Sequence, residues 1–195
     1  MFEHNLSYIS DGETARTNKE AAFKRAENLA LYGASHVLEL CVGPSLEAFD
    51  AAYGSYGIQV TGNDIDARWK ALYPHGRWLI GDAMEQDYSK FDSIVFAPPL
   101  SRGCTGKRED SLQIESVKPN YYRFLSKILG QKYDGNVVLV LPGRVFATKQ
   151  DRMQFYRLIH MIALNGFNFE IAELKCGRRK IRKYVDLYLR RCKNV

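Results

Sequence analysis

The sequence predicts an α/β chain built on a doubly wound, mostly parallel sheet with an antiparallel C-terminal strand. Three observations carry that reading. Short apolar runs alternate with amphipathic stretches of helical period through most of the 195 residues, which is the pattern of βα units. The first run ends in a glycine turn, and Asp64 at the end of the second follows Gly43 by 21 residues, the spacing of a nucleotide-binding crevice. The last two runs alternate apolar and polar residues around a charged turn, as an antiparallel hairpin does.

Taken in order, the stretch from Asn18 to Tyr32 sets Ala22, Ala26, Leu29 and Ala30 on one helical face, with Lys24, Arg25 and Glu27 largely elsewhere. A helix packing by its alanine side follows, and Gly33 stops it. HVLELC, residues 36–41, is a strand ending in the turn VGPS, and LEAFDAAYG is a helix starting near Ser45 or Leu46. IQVTGND, 58–64, is the second strand, and DARWKALY is a short helix that Pro74 ends. RWLIGD, 77–82, is the third strand. FDSIVFA, 91–97, is the fourth, stopped by Pro98 and Pro99, because proline brings no N–H to a ladder.

After a polar loop, NYYRFLSKIL is helical, and NVVLVLP, 136–142, is a fifth, nearly continuous apolar strand. Thr148 and Asp151 form a capping-box pattern ahead of the helix MQFYRLIHMIALN, whose His160 is expected to pack in the core. NFEIAELK and KYVDLYLR, on either side of CGRRKIR, form the closing hairpin.

Composition removes several classes. With 46% hydrophobic and 26% charged residues, the chain is neither disordered nor collagen-like. It has no unbroken apolar run of about 18 residues, so no membrane span is expected. The first twenty residues are polar and lack a signal peptide's apolar core. The expectation is one cytoplasmic domain over residues 1–195, with a helical segment at 1–33 and the sheet in 34–195. The four cysteines, at 41, 104, 176 and 192, form no Cys-x-x-Cys pair, so free thiols and no metal site are expected.

The net charge of +6 is unevenly spread. Between Lys175 and Lys193 stand nine basic residues against the single acid Asp186. Such a segment is either a phosphate-binding surface or a solvated hairpin.

The chemistry gathers at strand ends. VLELCVGPSLEA places Glu39, Gly43 and Ser45 at the first strand-to-helix turn. A missing side chain at Gly43 lets a ligand approach the backbone, and the helix behind it favours an anionic group. Asp64 at the next strand end is placed to accept the hydroxyls of a ribose. Asp82 and Ala83 offer a carboxylate and a backbone N–H at the third. A nicotinamide enzyme would want G-x-G-x-x-G here, but GPSLEA has Ser45 where the second glycine belongs.

Together VLELCVGPS, GNDID, GDA, FDSIVFAPPL, NVVLVLP and the final hairpin resemble a class I S-adenosylmethionine-dependent methyltransferase over nearly the whole chain. That resemblance implies a seven-stranded sheet whose seventh strand runs antiparallel between the fifth and sixth. It implies S-adenosyl-L-methionine as cofactor, with Glu39 and Gly43 at its methionine part, Asp64 at the ribose, and Asp82 and Ala83 at the adenine. The family's turn usually carries another glycine or two, where this chain has Pro44 and Ser45.

FDSIVFAPPL is similar to the segment that amino-methyltransferases write as Asn/Asp/Ser-Pro-Pro-aromatic, with Ala97 at the polar position and Leu100 at the aromatic one. By that likeness Ala97, Pro98 and Pro99 are the catalytic turn, where backbone carbonyls of Ala97 or Pro98 orient the acceptor. In the loop that follows, Arg102, Lys107 and Arg108 are expected to meet an anion. Tyr121 and Tyr122 either stack on a ring or pack in the core. Cys104 is a loop thiol with no visible partner. Tyr8, Arg16 and Asn18 are expected over the cofactor. Arg178 and Arg179 complete the expected substrate surface.

Three functions stay open at this point: a methyltransferase acting on nucleic acid, RNA first; one acting on a small, anionic metabolite or cofactor precursor; and a non-catalytic partner subunit with the same fold.

Overall fold

The computed structural model describes residues 19–98, 120–142, 148–176 and 182–191. Five α-helices and seven strands lie within them: α1 (Lys19–Leu31), β1 (His36–Leu40), α2 (Leu46–Gly54), β2 (Gln59–Asp64), α3 (Arg68–Leu72), β3 (Trp78–Ile80), β4 (Ser93–Phe96), α4 (Tyr121–Gly130), β5 (Asn136–Pro142), α5 (Lys149–Leu164), β6 (Phe167–Cys176) and β7 (Arg182–Arg191). The strands form one sheet in the order β3-β2-β1-β4-β5-β7-β6. β1 to β5 are parallel, and β7 runs antiparallel to both β5 and β6. The hairpin read from alternation is present, and its second arm is inserted beside β5, leaving β6 at the edge.

Alternation along the strands divides the core into two layers. Leu38, Leu40, Ile94, Phe96, Leu139 and Leu187 face α4 and α5. Val37, Val60, Val95, Val138, Val140 and Tyr188 face α1 and α2. Helices on both faces explain why the central strands read as continuous apolar runs. Among the described residues no helix is long and apolar enough to cross a membrane.

Local signals account for the helix boundaries. Gly33 takes φ +75° and the Ala34 N–H returns to the Leu29 carbonyl at 3.0 Å, a left-handed stop that satisfies the last turn. At α5, Thr148 Oγ1 accepts the Asp151 N–H at 3.1 Å while Asp151 Oδ2 accepts the Thr148 N–H at 3.1 Å, which is the capping box in full.

Two expectations are corrected by these helices. Arg25 lies in the buried stripe of α1 with Ala21, Ala22, Ala26 and Leu29; spacings of three and four put it there, and its small neighbours leave room for a guanidinium. His160 is exposed, beside Met153, Tyr156 and Arg157. At about 100° per residue it stands roughly 200° round the helix from the buried Leu158.

Candidate functional site

The ladder brings the carboxyl ends of four strands level. Leu40 pairs with Asn63 and with Phe96, and Asp64 pairs with Ile80. Beyond it the chain stays joined: Val42 N–H donates to the Asn63 carbonyl at 3.0 Å, Gly81 N–H to the Asp64 carbonyl at 3.0 Å, and Ala97 N–H to the Leu40 carbonyl at 3.4 Å. β1 lies between β2 and β4, where the strand order reverses, and such a switch point opens a crevice for ligands.

A carboxylate holds the first turn. Asp64 Oδ2 accepts the Gly43 N–H at 2.8 Å, and Oδ1 accepts the Asp66 N–H at 2.9 Å. Gly43 has φ +54° and open space where a side chain would stand, so the turn presents bare backbone. Burial raises the Asp64 pKa, while its backbone hydrogen bonds pull the other way. These backbone donors take only part of the carboxylate's accepting capacity, which leaves lone pairs for further hydroxyls.

At the third strand end Asp82 Oδ1 accepts the Met84 N–H at 2.7 Å, capping the one-turn 3-10 helix Ala83–Glu85. The buried Tyr88 donates its hydroxyl to the Ala83 carbonyl at 2.8 Å. Gly43, Asp64, Asp82 and Ala83 thus stand at three neighbouring strand ends. At the fourth, Ala97 is half-buried and Pro98 buried.

Glu39, expected at the methionine part of the cofactor, stands on the side of β1 covered by α1 and α2. It has no exposed surface and sits beneath α1 and α2, where the Tyr53 hydroxyl donates to Oε1 and Arg25 Nη1 lies 3.8 Å away. Arg25 itself is engaged by Asp186, Nε to Oδ2 at 2.8 Å and Nη2 to Oδ1 at 3.1 Å. One cation therefore serves two buried carboxyls. Burial, opposed by Arg25 and by Tyr53, pushes the Glu39 pKa up to about 7. Alternation explains the placement: Glu39 shares the α1–α2 side of β1 with Val37.

Tyr121 is also a core residue rather than a substrate platform. It is fully buried, donates its hydroxyl to the Val140 carbonyl at 2.6 Å, and meets Phe96 edge-on at 5.3 Å. Tyr122 is half-buried and packs against the same core. Pro99, Arg102, Cys104, Lys107, Arg108, Arg178 and Arg179 lie outside the described residues, as do Tyr8, Arg16 and Asn18.

Sequence reasoning missed four participants. Asp186 is a lone acid inside the apolar strand KYVDLYLR, and Arg25 lies in an alanine-rich helical stripe; a charge in either setting signals a buried partner. Asn63, fully buried, donates from Nδ2 to the Leu79 and Gly81 carbonyls at 2.9 and 3.0 Å, tying β2 to the turn after β3. Cys41 takes φ +59° at the end of β1, and nothing in its residue type announces that.

The sheet order, the inserted antiparallel strand and the helices on both faces are those of the class I S-adenosylmethionine-dependent methyltransferase fold. No protein-family model and no curated protein matches the chain in sequence. Solved structures match it in fold. A candidate RNA methyltransferase from Pyrococcus horikoshii is 18% identical, over 89% of this chain and 85% of that one, with a TM-score of 0.57. The 1,6-didemethyltoxoflavin-N1-methyltransferase of Burkholderia thailandensis, solved with S-adenosylhomocysteine, is 17% identical over 89% and 80%, with a TM-score of 0.56. A two-protein complex from E. cuniculi, responsible for methylation of a translation termination factor, is 11% identical over 90% and 97%, with a TM-score of 0.53. Neighbours of one fold thus differ in what they methylate, and the likeness to this chain is one of fold.

Proposed function

We propose that the protein is an S-adenosylmethionine-dependent methyltransferase with a nucleic-acid acceptor, RNA in preference to DNA. The cofactor half rests on one observation, the half-buried Asp64 carboxylate closing the Gly43 turn at the sheet's switch point. The space beside Gly43 and the lone pairs left on Asp64 fit a ribose and the methionine part next to it. Asp82 and the Ala83 backbone then face the adenine. Bound there, the cofactor supplies a methyl group on a positively charged sulfur. The chain's own contribution is positioning: the carbonyls of Ala97 and Pro98 direct the acceptor's lone pair in line, which is most of the catalysis such a displacement needs.

The acceptor half rests on charge. The segment from Lys175 to Lys193, with nine basic residues against one acid, matches the anionic phosphodiester backbone of a nucleic acid.

Calorimetric titration with S-adenosylmethionine should give saturable one-site binding that Asp64→Ala abolishes; no binding by folded wild type would overturn the cofactor reading. RNA affinity should fall at least tenfold between about 50 and 200 mM salt and weaken in an Arg178→Ala, Arg179→Ala double variant. A flat salt response would overturn the RNA reading, and turnover of a small molecule without nucleic acid would replace it.

A further inference from the structure

We propose that Lys127 is a positioning residue for the adenine side of the cofactor site, an inference that rests on the reading of Asp82 and Ala83 above. The turn from 82 to 88 is gripped carbonyl by carbonyl. Asp82 O accepts the Glu85 N–H at 3.0 Å and the Gln86 side chain at 2.9 Å, and Ala83 O accepts the Tyr88 hydroxyl. The remaining grip comes from a distant helix: Lys127 Nζ donates to the Met84 carbonyl at 2.6 Å and to the Gln86 carbonyl at 2.5 Å.

A lysine on a helix surface ordinarily leaves its strongly hydrated ammonium in water. Lys127 is instead half-buried, 4.3 Å from the Tyr88 ring centroid and within the field of Asp82, Glu85 and Asp87. Hydrogen bonds from a charged donor are about twice as strong as neutral ones, so two of them onto alternate carbonyls fix the backbone that carries Ala83.

The lysine's own position is set by α4, which buries Tyr121, Phe124, Leu125 and Ile128. Phe124 stacks on Phe96 with centroids 4.2 Å apart, and Phe96 is the last residue of β4, directly before Ala97. One helix therefore registers the adenine-side turn against the strand end proposed to orient the acceptor. Lys127 touches neither ligand in this scheme. It acts through the Met84 and Gln86 carbonyls.

The test uses the full chain as wild type, Lys127→Met and Lys127→Arg, each first shown by thermal unfolding to be folded. Titration with S-adenosylhomocysteine should show Lys127→Met binding about tenfold more weakly, the loss expected for charge-assisted hydrogen bonds, with Lys127→Arg recovering part of it. Amide hydrogen exchange should quicken over residues 83–88 in Lys127→Met while β1, β4 and β5 keep wild-type protection. Unchanged affinity and unchanged exchange at 83–88 in folded Lys127→Met would overturn the positioning role alone. Wild-type protein that binds no S-adenosylhomocysteine would overturn the cofactor reading beneath it, and the positioning role with it.

Discussion

Arg25 of α1 and Asp186 of β7, 161 residues apart in the chain, form a two-pronged ion pair that neither side chain shares with solvent. The pair fastens the first described helix to the inserted strand. Removing Asp186 strips the buried guanidinium of both its close hydrogen bonds and leaves it only Glu39 at 3.8 Å, so Asp186→Ala should destabilise the protein by about 3–5 kcal/mol in urea unfolding. Because Arg25 also faces Glu39, the apolar replacement has to neutralise all three: Arg25→Met with Asp186→Leu and Glu39→Gln should recover most of that loss.

Glu39 sets a pH dependence of the opposite sense to an ordinary paired carboxylate. Its folded pKa of about 7 stands above the usual value of 4.5, so the folded state holds the proton more tightly than the unfolded one. The associated stability is fully present below about pH 4.5 and is lost as pH rises through 7. Glu39→Gln keeps an acceptor for the Tyr53 hydroxyl and removes the titration. The variant should gain about 2–3 kcal/mol on wild type at pH 8, with the difference closing toward pH 5 in denaturant titrations.

Asp64 both closes the turn and, as proposed, receives the ribose. Asp64→Asn, which keeps a single carbonyl acceptor, should hold the fold within about 1 kcal/mol of wild type while weakening S-adenosylhomocysteine binding at least tenfold by calorimetry. In wild type, affinity should fall as acid protonates this carboxylate, and it should do so sooner than for an exposed aspartate, because burial raises the pKa.

Cys41 carries backbone strain that glycine relieves. At φ +59° an L-residue pays about 1–2 kcal/mol. Glycine removes that cost but loses chain entropy and the half-buried thiol's packing. Cys41→Gly should therefore unfold within about 1 kcal/mol of wild type, whereas the β-branched Cys41→Val should lose roughly 2 kcal/mol or more. Denaturant midpoints of the two variants check the difference.

Period and punctuation made the architecture legible. α2 begins at Leu46, β5 spans Asn136–Pro142 and the Thr148–Asp151 box starts α5, because each depends on neighbours within a few residues. The strand-end acids were legible for the same reason, since β2 and β3 each deliver one at a fixed point beyond the ladder. What stayed hidden depends on partners far along the chain. Arg25 reads as a solvent-facing charge until Asp186 is beside it, and Tyr121 as a loop-proximal aromatic until Phe96 and Val140 enclose it. Glu39 was read by likeness to the family's turn, and its partners Tyr53 and Arg25 come from α2 and α1, which no local spacing announces.

The insertion of β7 between β5 and β6 also orders events in time. A parallel strand early in the chain can settle on its neighbours soon after it leaves the ribosome, but here the strand synthesised after all six others belongs in the interior of the sheet. Until residues 182–191 emerge, β5 presents an open backbone edge, β6 has no place to pair, and Arg25 lacks its Asp186. At about 5–20 residues per second, several seconds separate the synthesis of β5 from that of β7, and over that interval the outer edge of β5 waits for the strand that will cover it.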